Sequence, residues 1–269
     1  MKNIVRHSLL SLSLFLLTLA TASANSINTA EIVQASQEGF LALVQELVEK
    51  HHINVNTRDE NGFTPLLAAA KHGQILIVQY LLEKGAHVNA RDNNGMTALM
   101  WAIWNGHTDI AQLLMNHKTN VNIQGDDGLT ALMLAAWNGN KEVTRTILGC
   151  KAAVNIQNDV GLTALMAAAQ QGFLEIVKDL IAAGADSSMT DLDGKNALSI
   201  AREEGHLTIA QYLSEHPLSE HSQPAMAYAS ASASGVSQAV SSLSNGSHIN
   251  KVSPSTFMLL CNWYKNKSK

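Results

Sequence analysis

The sequence predicts an all-α repeat solenoid, a stack of about six helix-turn-helix-hairpin units, and three observations lead to it. Glycines recur at Gly62, Gly95, Gly128, Gly161 and Gly194, each 33 residues after the last with no insertion. A side chain able to cap a helix follows two residues later every time: Thr64, Thr97, Thr130, Thr163 and then Asn196. Apolar residues keep the same phase, with Leu66 recurring as Leu99, Leu132, Leu165 and Leu198, and Ile77 as Ile110, Val143, Ile176 and Ile209. Cap, core and breaker residues held in one register mark a structural repeat.

Taken in order, the 269-residue chain begins with Lys2 and Arg6 ahead of an apolar run from Leu9 to Leu19, followed by Ala22-Ser23-Ala24. This is the layout of a bacterial-type secretory signal peptide cut after Ala24, so residues 1–24 are set apart from the fold. The run of about a dozen residues is shorter than the ~20 that span a bilayer. Its removal takes away two cations and no acid, which moves the net charge from -4 to -6.

Residues 25–57 supply an opening cap, with Ile32, Val33 and Ala35 on a first helix, Gly39 as a break, and Leu43, Val44, Leu47 and Val48 on a second. That pair fits the repeat with one residue inserted in the His51-His52 loop. Four inner units occupy residues 58–189. In the first of them Thr64 caps, Pro65 suits the first helical position, Gly73 ends the helix, and Ile77, Val78, Leu81 and Leu82 line one face of a second helix closed by Gly85. Residues 190–216 close the stack, with Arg202, Glu203, Glu204 and Ser214 where inner units have Ala169, Gln170, Gln171 and Ile181. A last unit has no neighbour to cover its outer face, so polarity there is expected. Residues 217–269 form a Ser/Ala-rich tail that is read as disordered and ends in F-M-L-L-C-N-W-Y with Lys265, Lys267 and Lys269.

The stretches G-F-T-P-L-L-A-A-A-K-H-G and G-A-H-V-N-A resemble the ankyrin repeat consensus, and the resemblance covers roughly Ala30 to His216. Two departures stand out. The histidine that usually follows Thr-Pro-Leu and ties neighbouring hairpins is replaced by Leu67, Met100, Met133, Met166 and Ser199. Hairpin stacking is therefore expected to lean on packing and not on that hydrogen-bond network. The helix-starting proline survives only as Pro65.

The resemblance implies a protein-binding concave face lined by hairpin tips and the exposed side of each first helix. The slot after each repeat glycine holds Phe63, Met96, Leu129, Leu162 and Lys195, and a first-helix slot holds Lys71, Trp104, Trp137, Gln170 and Glu203. Trp104 and Trp137, beside Phe63, Met96, Leu129 and Leu162, are thus the expected contact side chains, while Trp101 is expected in the core. Hairpin residues Arg58, Arg91, Asn94 and Asp127, with Glu60, Asn61, Asn93, Gln124, Asp126, Gln157 and Asp159, are expected to supply specificity. Charge also drifts from Arg58 and Arg91 toward Asp191, Asp193, Glu203 and Glu204, which would orient a partner of opposite gradient.

Chemistry is hard to place on this sequence. A pI near 6.2 excludes a strongly basic nucleic-acid binder. Eleven histidines are spread across the units without H-E-x-x-H or a Cys/His cluster, and Asp126-Asp127 lacks the spaced glutamate of a calcium loop. No G-x-S-x-G or phosphate loop occurs, so no cofactor, metal or catalytic residue is expected. Neither spacing nor context demands a disulfide between Cys150 and Cys261. The expected function is an exported scaffold that supports or sequesters a protein partner in the periplasm. The alternatives are a secreted effector that binds a host protein and, more distantly, an enzyme with a site assembled across repeats.

Overall fold

The computed structural model describes residues 29–216, so the leader, the Ser/Ala-rich tail and its apolar end lie outside the described residues. Twelve α-helices and no strand are found among the described residues, which makes the chain an all-α repeat solenoid. The helices form six pairs: α1 (Thr29–Glu38) and α2 (Leu41–Glu49), α3 (Pro65–Lys71) and α4 (Ile75–Glu83), α5 (Ala98–Trp104) and α6 (Thr108–Met115), α7 (Ala131–Trp137) and α8 (Lys141–Gly149), α9 (Ala164–Gln171) and α10 (Leu174–Ala182), α11 (Ala197–Glu203) and α12 (Leu207–Glu215). They divide into two compact units, one running to His87 and the other from Val88.

The caps form as the sequence predicts. The hydroxyls of Thr64, Thr97, Thr130 and Thr163 accept the N–H groups of Leu67, Met100, Met133 and Met166 at 3.2–3.3 Å. Asn196 does the same for Ser199, and Ser199 answers to the Asn196 N–H, so the last repeat starts on a reciprocal capping box. After α1, each first helix spans only about two turns, too few to persist alone in water. Packing on its neighbours sustains it.

In the first unit α1 packs on α3 and α2 on α4, over a core of Ile32, Val33, Ala35, Val44, Leu47, Leu66, Ile77 and Leu81. Leu43 and Val48 stay half-buried. The inserted residue is visible in the backbone: Ile53 N–H reaches back six residues to Leu47, whereas the matching bond after α4, from Ala86 to Leu81, spans five.

In the second unit the first helices α5, α7, α9 and α11 pack in sequence as one layer, and the second helices α6, α8, α10 and α12 as another. Alanine-rich turns such as Ala135-Ala136 and Ala167-Ala168-Ala169 are fully buried, and their small side chains let neighbouring helices come close. The residues in the missing-histidine slot, Met100, Met133 and Met166, lie wholly inside.

Packing is not the only tie between hairpins, which corrects one expectation. Within the second unit the hairpins are bonded directly to one another: Asp126 N–H donates to Asn94 O at 3.0 Å, Asp159 N–H to Asp127 O at 3.1 Å, and Leu192 N–H to Val160 O at 3.1 Å. The amides of Gln124 and Gln157 each bridge their own hairpin and the next. Gln124 donates to Gly128 O and Gln157 O, and Gln157 to Gly161 O and Thr190 O. A second ladder uses Asn89, Asn122 and Asn155, whose carboxamide oxygens accept the N–H groups of Asn120, Ala153 and Asp186 at 2.8–2.9 Å. In the first unit Asn56 takes the same role toward His87. Amides spaced at the repeat period thus replace the absent histidine network. The approach is close. A Cβ on Gly128, held at φ +76, would lie 2.7 Å from Asn158 Cα.

Candidate protein-binding face

The expected contact row is only partly a surface. Met96 and Leu129 are completely buried, which corrects their placement as contact residues, and Phe63 and Leu162 are half-buried. All four lie at hairpin necks. Met96 N–H donates to the Asp92 carboxylate and Met96 O accepts Asp92 N–H, while Leu129 pairs in the same way with Asp127 and Gly125. Phe63 with Asp59 and Leu162 with Asn158 make the same pair of bonds, so the neck fixes the backbone at all four positions and only Met96 and Leu129 turn their side chains fully inward.

Trp101, Trp104 and Trp137 are all half-buried, so the expected division into core and surface tryptophans is not seen. Trp104 and Trp137 end α5 and α7 and remain half-buried. The residue following Trp137 joins the two helix ends, because Asn138 Nδ2 donates to Ile103 O at 2.7 Å and Trp104 O at 3.4 Å. Trp101 is half-buried instead of wholly in the core. Its indole N–H donates at 2.9 Å to the buried carboxylate of Asp92, which also receives the Asn94 and Met96 amides. One aspartate therefore holds helix and hairpin together.

The hairpin residues expected to give specificity serve the hairpins first. Arg58 Nη1 donates to Gly62 O at 3.3 Å. Arg91 Nε donates to Gly95 O at 3.1 Å and its Nη2 pairs with Asp126 at 2.8 Å, which brings Arg91, Asn94 and Asp126 together. Lys195 pairs with Glu203. The expected charge drift is thus partly neutralised in place. Asn94 still exposes its side chain, and Asp127 is half-buried.

Phe63 belongs to the first unit, where Lys71 Nζ sits 4.9 Å from its ring centre. Both line a shallow hollow of about 110 Å³ with Val33, Gln37, Asp59 and His72. That volume falls below the roughly 300 Å³ at which small-molecule pockets begin. Among the described residues no group of three or more His, Cys, Asp or Glu is placed to hold a metal, and no helix is long and apolar enough to cross a membrane. Cys150 is an exposed free thiol, and Cys261 lies outside the described residues.

Two exposed side chains escaped the sequence reading. Val160 and Leu192 are 43% and 69% exposed at adjacent hairpin tips. The signal was present: their slots otherwise hold Asn61, Asn94, Asp127 and Asp193, or Glu60, Asn93, Asp126 and Asp159.

The family model for ankyrin repeats matches three times, over residues 32–125, 117–191 and 165–253. The chain belongs to the ankyrin repeat family. Among curated proteins this ankyrin chain is 50% identical to alpha-latrocrustotoxin-Lt1a of Latrodectus tredecimguttatus over 52 residues, 19% of this chain and 4% of the toxin. It is 39% identical to ankyrin repeat family A protein 2 of Homo sapiens over 59 residues, 22% of this chain and 18% of that protein. These matches therefore span less than a fifth of either curated relative. Among solved structures it is similar to a chain from the complex of a predatory endopeptidase from Bdellovibrio bacteriovorus with an immunity protein. The identity there is 37% and the TM-score 0.62, over 68% of this chain and 96% of that one. Ankyrin repeats are protein-binding scaffolds, which sets the class of partner.

Proposed function

We propose that this ankyrin chain is an exported binding protein that captures a peptidase and holds it in check, in the manner of an immunity protein. The observation that carries the reading is the 37% identity, over 68% of this chain and 96% of the matched one, to a chain solved in a complex of an endopeptidase with an immunity protein. The leader layout of residues 1–24 supports action in the periplasm. On the described residues, Trp104 and Trp137 offer large half-buried rings at two joined helix ends, the type of side chain that dominates binding energy at interfaces. Leu162 extends that contact, and Met96 and Leu129 stiffen the hairpins behind it. The hairpins give register through Asn94 and Asp127, with Arg91 bracing Asp126.

The test is crosslinking in cells that express the tagged full chain with its own leader, followed by identification of the captured protein in the periplasmic fraction. An exported peptidase is expected, and its hydrolytic rate should fall as stoichiometric ankyrin protein is added. Trp104→Ala combined with Trp137→Ala should weaken that capture by about 1,000-fold, since truncated hot spots cost roughly 2 kcal/mol each, with the helical signal unchanged. Unchanged affinity would remove the two tryptophans from the site. Recovery of the chain in the medium on a host protein would support the secreted-effector reading instead. Turnover of a substrate by the chain alone would replace both with an enzyme.

A further inference from the structure

The shallow hollow of the first unit has a filled counterpart one repeat along the chain. In that next repeat Asp92 divides its carboxylate. Oδ1 accepts the amides of Asn94 and Met96, and Oδ2 accepts the indole N–H of Trp101 at 2.9 Å. Asp59 stands 33 residues before Asp92 and repeats the first half of this arrangement, with Oδ1 accepting Asn61 N–H at 2.9 Å and Phe63 N–H at 2.7 Å. The second half is missing, because the residue 33 before Trp101 is Ala68. Asp59 and Ala68 both line the hollow. Among the described residues this slot pairing joins a carboxylate to an alanine here alone. The other repeats pair Asp92 with Trp101, Gly125 with Leu134, Asn158 with Ala167 and Asp191 with Ile200.

The space suits one ring. Its volume of about 110 Å³ approaches the roughly 150 Å³ of a cavity that holds benzene. Its wall is polar as well as apolar. Phe63 offers a ring, Lys71 Nζ sits 4.9 Å from the centre of that ring, and Asp59 offers Oδ2, which accepts no hydrogen bond from the described residues. A carboxylate oxygen takes a donor, and a flat ring beside an ammonium gains a cation–π contact. An indole supplies both.

We propose that the hollow receives a tryptophan side chain from a protein partner, with its indole N–H donating to Asp59 Oδ2 as that of Trp101 donates to Asp92. The assignment rests on the reading of this chain as a protein-binding scaffold and not on the partner being a peptidase. Tryptophan is enriched among the anchors that dominate binding energy, and such anchors fill pockets on the other surface. Trp104 and Trp137 present rings to a partner, whereas the Asp59 hollow accepts one.

The test uses the full chain and N-acetyl-tryptophanamide, a single tryptophan with its peptide flanks, followed by backbone amide NMR. The ligand is expected to move the Asn61 and Phe63 amides with a Kd on the order of 1 mM, as suits one side chain. The Asn94 and Met96 amides, where Trp101 already holds the place, should not move. The 1-methylindole analogue has no N–H and should bind at least tenfold more weakly. Asp59→Asn should weaken binding about as much while keeping the hairpin, since Asn158 in the matching slot accepts the Val160 and Leu162 amides through Oδ1 at 3.1 and 2.8 Å. Ala68→Trp should fill the hollow from within and abolish the shifts. Unmoved Asn61 and Phe63 amides, equal affinity for the methylated analogue, or equal affinity in Asp59→Asn would overturn the proposal. So would N-acetyl-lysinamide binding as tightly, because the carboxylate would then be taking any cation. These readouts need no partner, so a failed indole site and a failed peptidase capture are told apart.

Discussion

Substituting one glycine in the centre of the array and one at its end separates two costs that every repeat glycine carries. Gly128 and Gly194 hold nearly the same left-handed backbone, φ +76 and +74. Alanine in that conformation costs ~1–2 kcal/mol, partly offset by ~0.4–1 kcal/mol from a stiffer unfolded chain. A methyl group added at Gly194 would meet nothing within 4 Å, so Gly194→Ala should lose about 0.5–1 kcal/mol. At Gly128 the methyl would also meet the Asn158 Cα at 2.7 Å and the Asp159 N at 3.0 Å. These are backbone atoms that cannot swing aside, and overpacking of this kind adds ~1–3 kcal/mol. Gly128→Ala should therefore be worse than Gly194→Ala by that margin. Urea unfolding followed by circular dichroism measures the total, and hydrogen exchange at the Asp159 amide reports whether its bond to Asp127 O has opened. Equal losses in the two variants, with Asp159 still protected, would refute the idea that hairpin-to-hairpin approach sets the penalty.

Gln157→Ala removes the bridge from Gly161 O to Thr190 O and should cost about 1 kcal/mol in the same unfolding assay, with exchange faster around Thr190. Lys118 and Lys151 occupy the slot that Gly85 and Gly184 fill elsewhere, at φ 57 and 60. Lys118→Gly or Lys151→Gly should each gain about 0.5 kcal/mol, seen as a Tm rise of about 1–2 °C. Glu175 is held below the usual carboxylate pKa by hydrogen bonds and charge from Lys178 and Lys141. A depressed pKa gives stability that is present above the unfolded value and lost as pH falls through the folded one. The Tm gap between wild type and Glu175→Gln should accordingly shrink as the pH is lowered from 7 to 3, checked by calorimetry.

Most of the fold was legible because period, caps and core all encode one unit. Thr130 could be named as a cap from its place after Gly128, and the one-residue insertion near His52 could be located by counting. The hairpins were less legible. Gln124 and Gln157 read as hairpin residues that supply specificity toward a partner, yet they bond to the next hairpin, and nothing local in a sequence distinguishes an amide aimed at a neighbour from one aimed outward. Met96 and Leu129 were misplaced for a related reason: an apolar residue beside a turn can project outward or turn inward, and both turn fully inward here. Trp104 and Trp137 are half-buried, and Trp101, expected in the core, is half-buried as well.

The side-chain ladder does not continue from the last described hairpin. Each rung needs a carboxamide at the repeat period, and the final hairpin offers Ser188 and Thr190 in the places of Asn155 and Gln157. Ser188 turns its hydroxyl and its N–H onto Asp186, within its own loop. A second molecule arriving head to tail would find no side-chain clasp to continue the series. Repeat proteins with matching ends risk growth into open filaments. Ser188 and Thr190 offer no carboxamide for such growth.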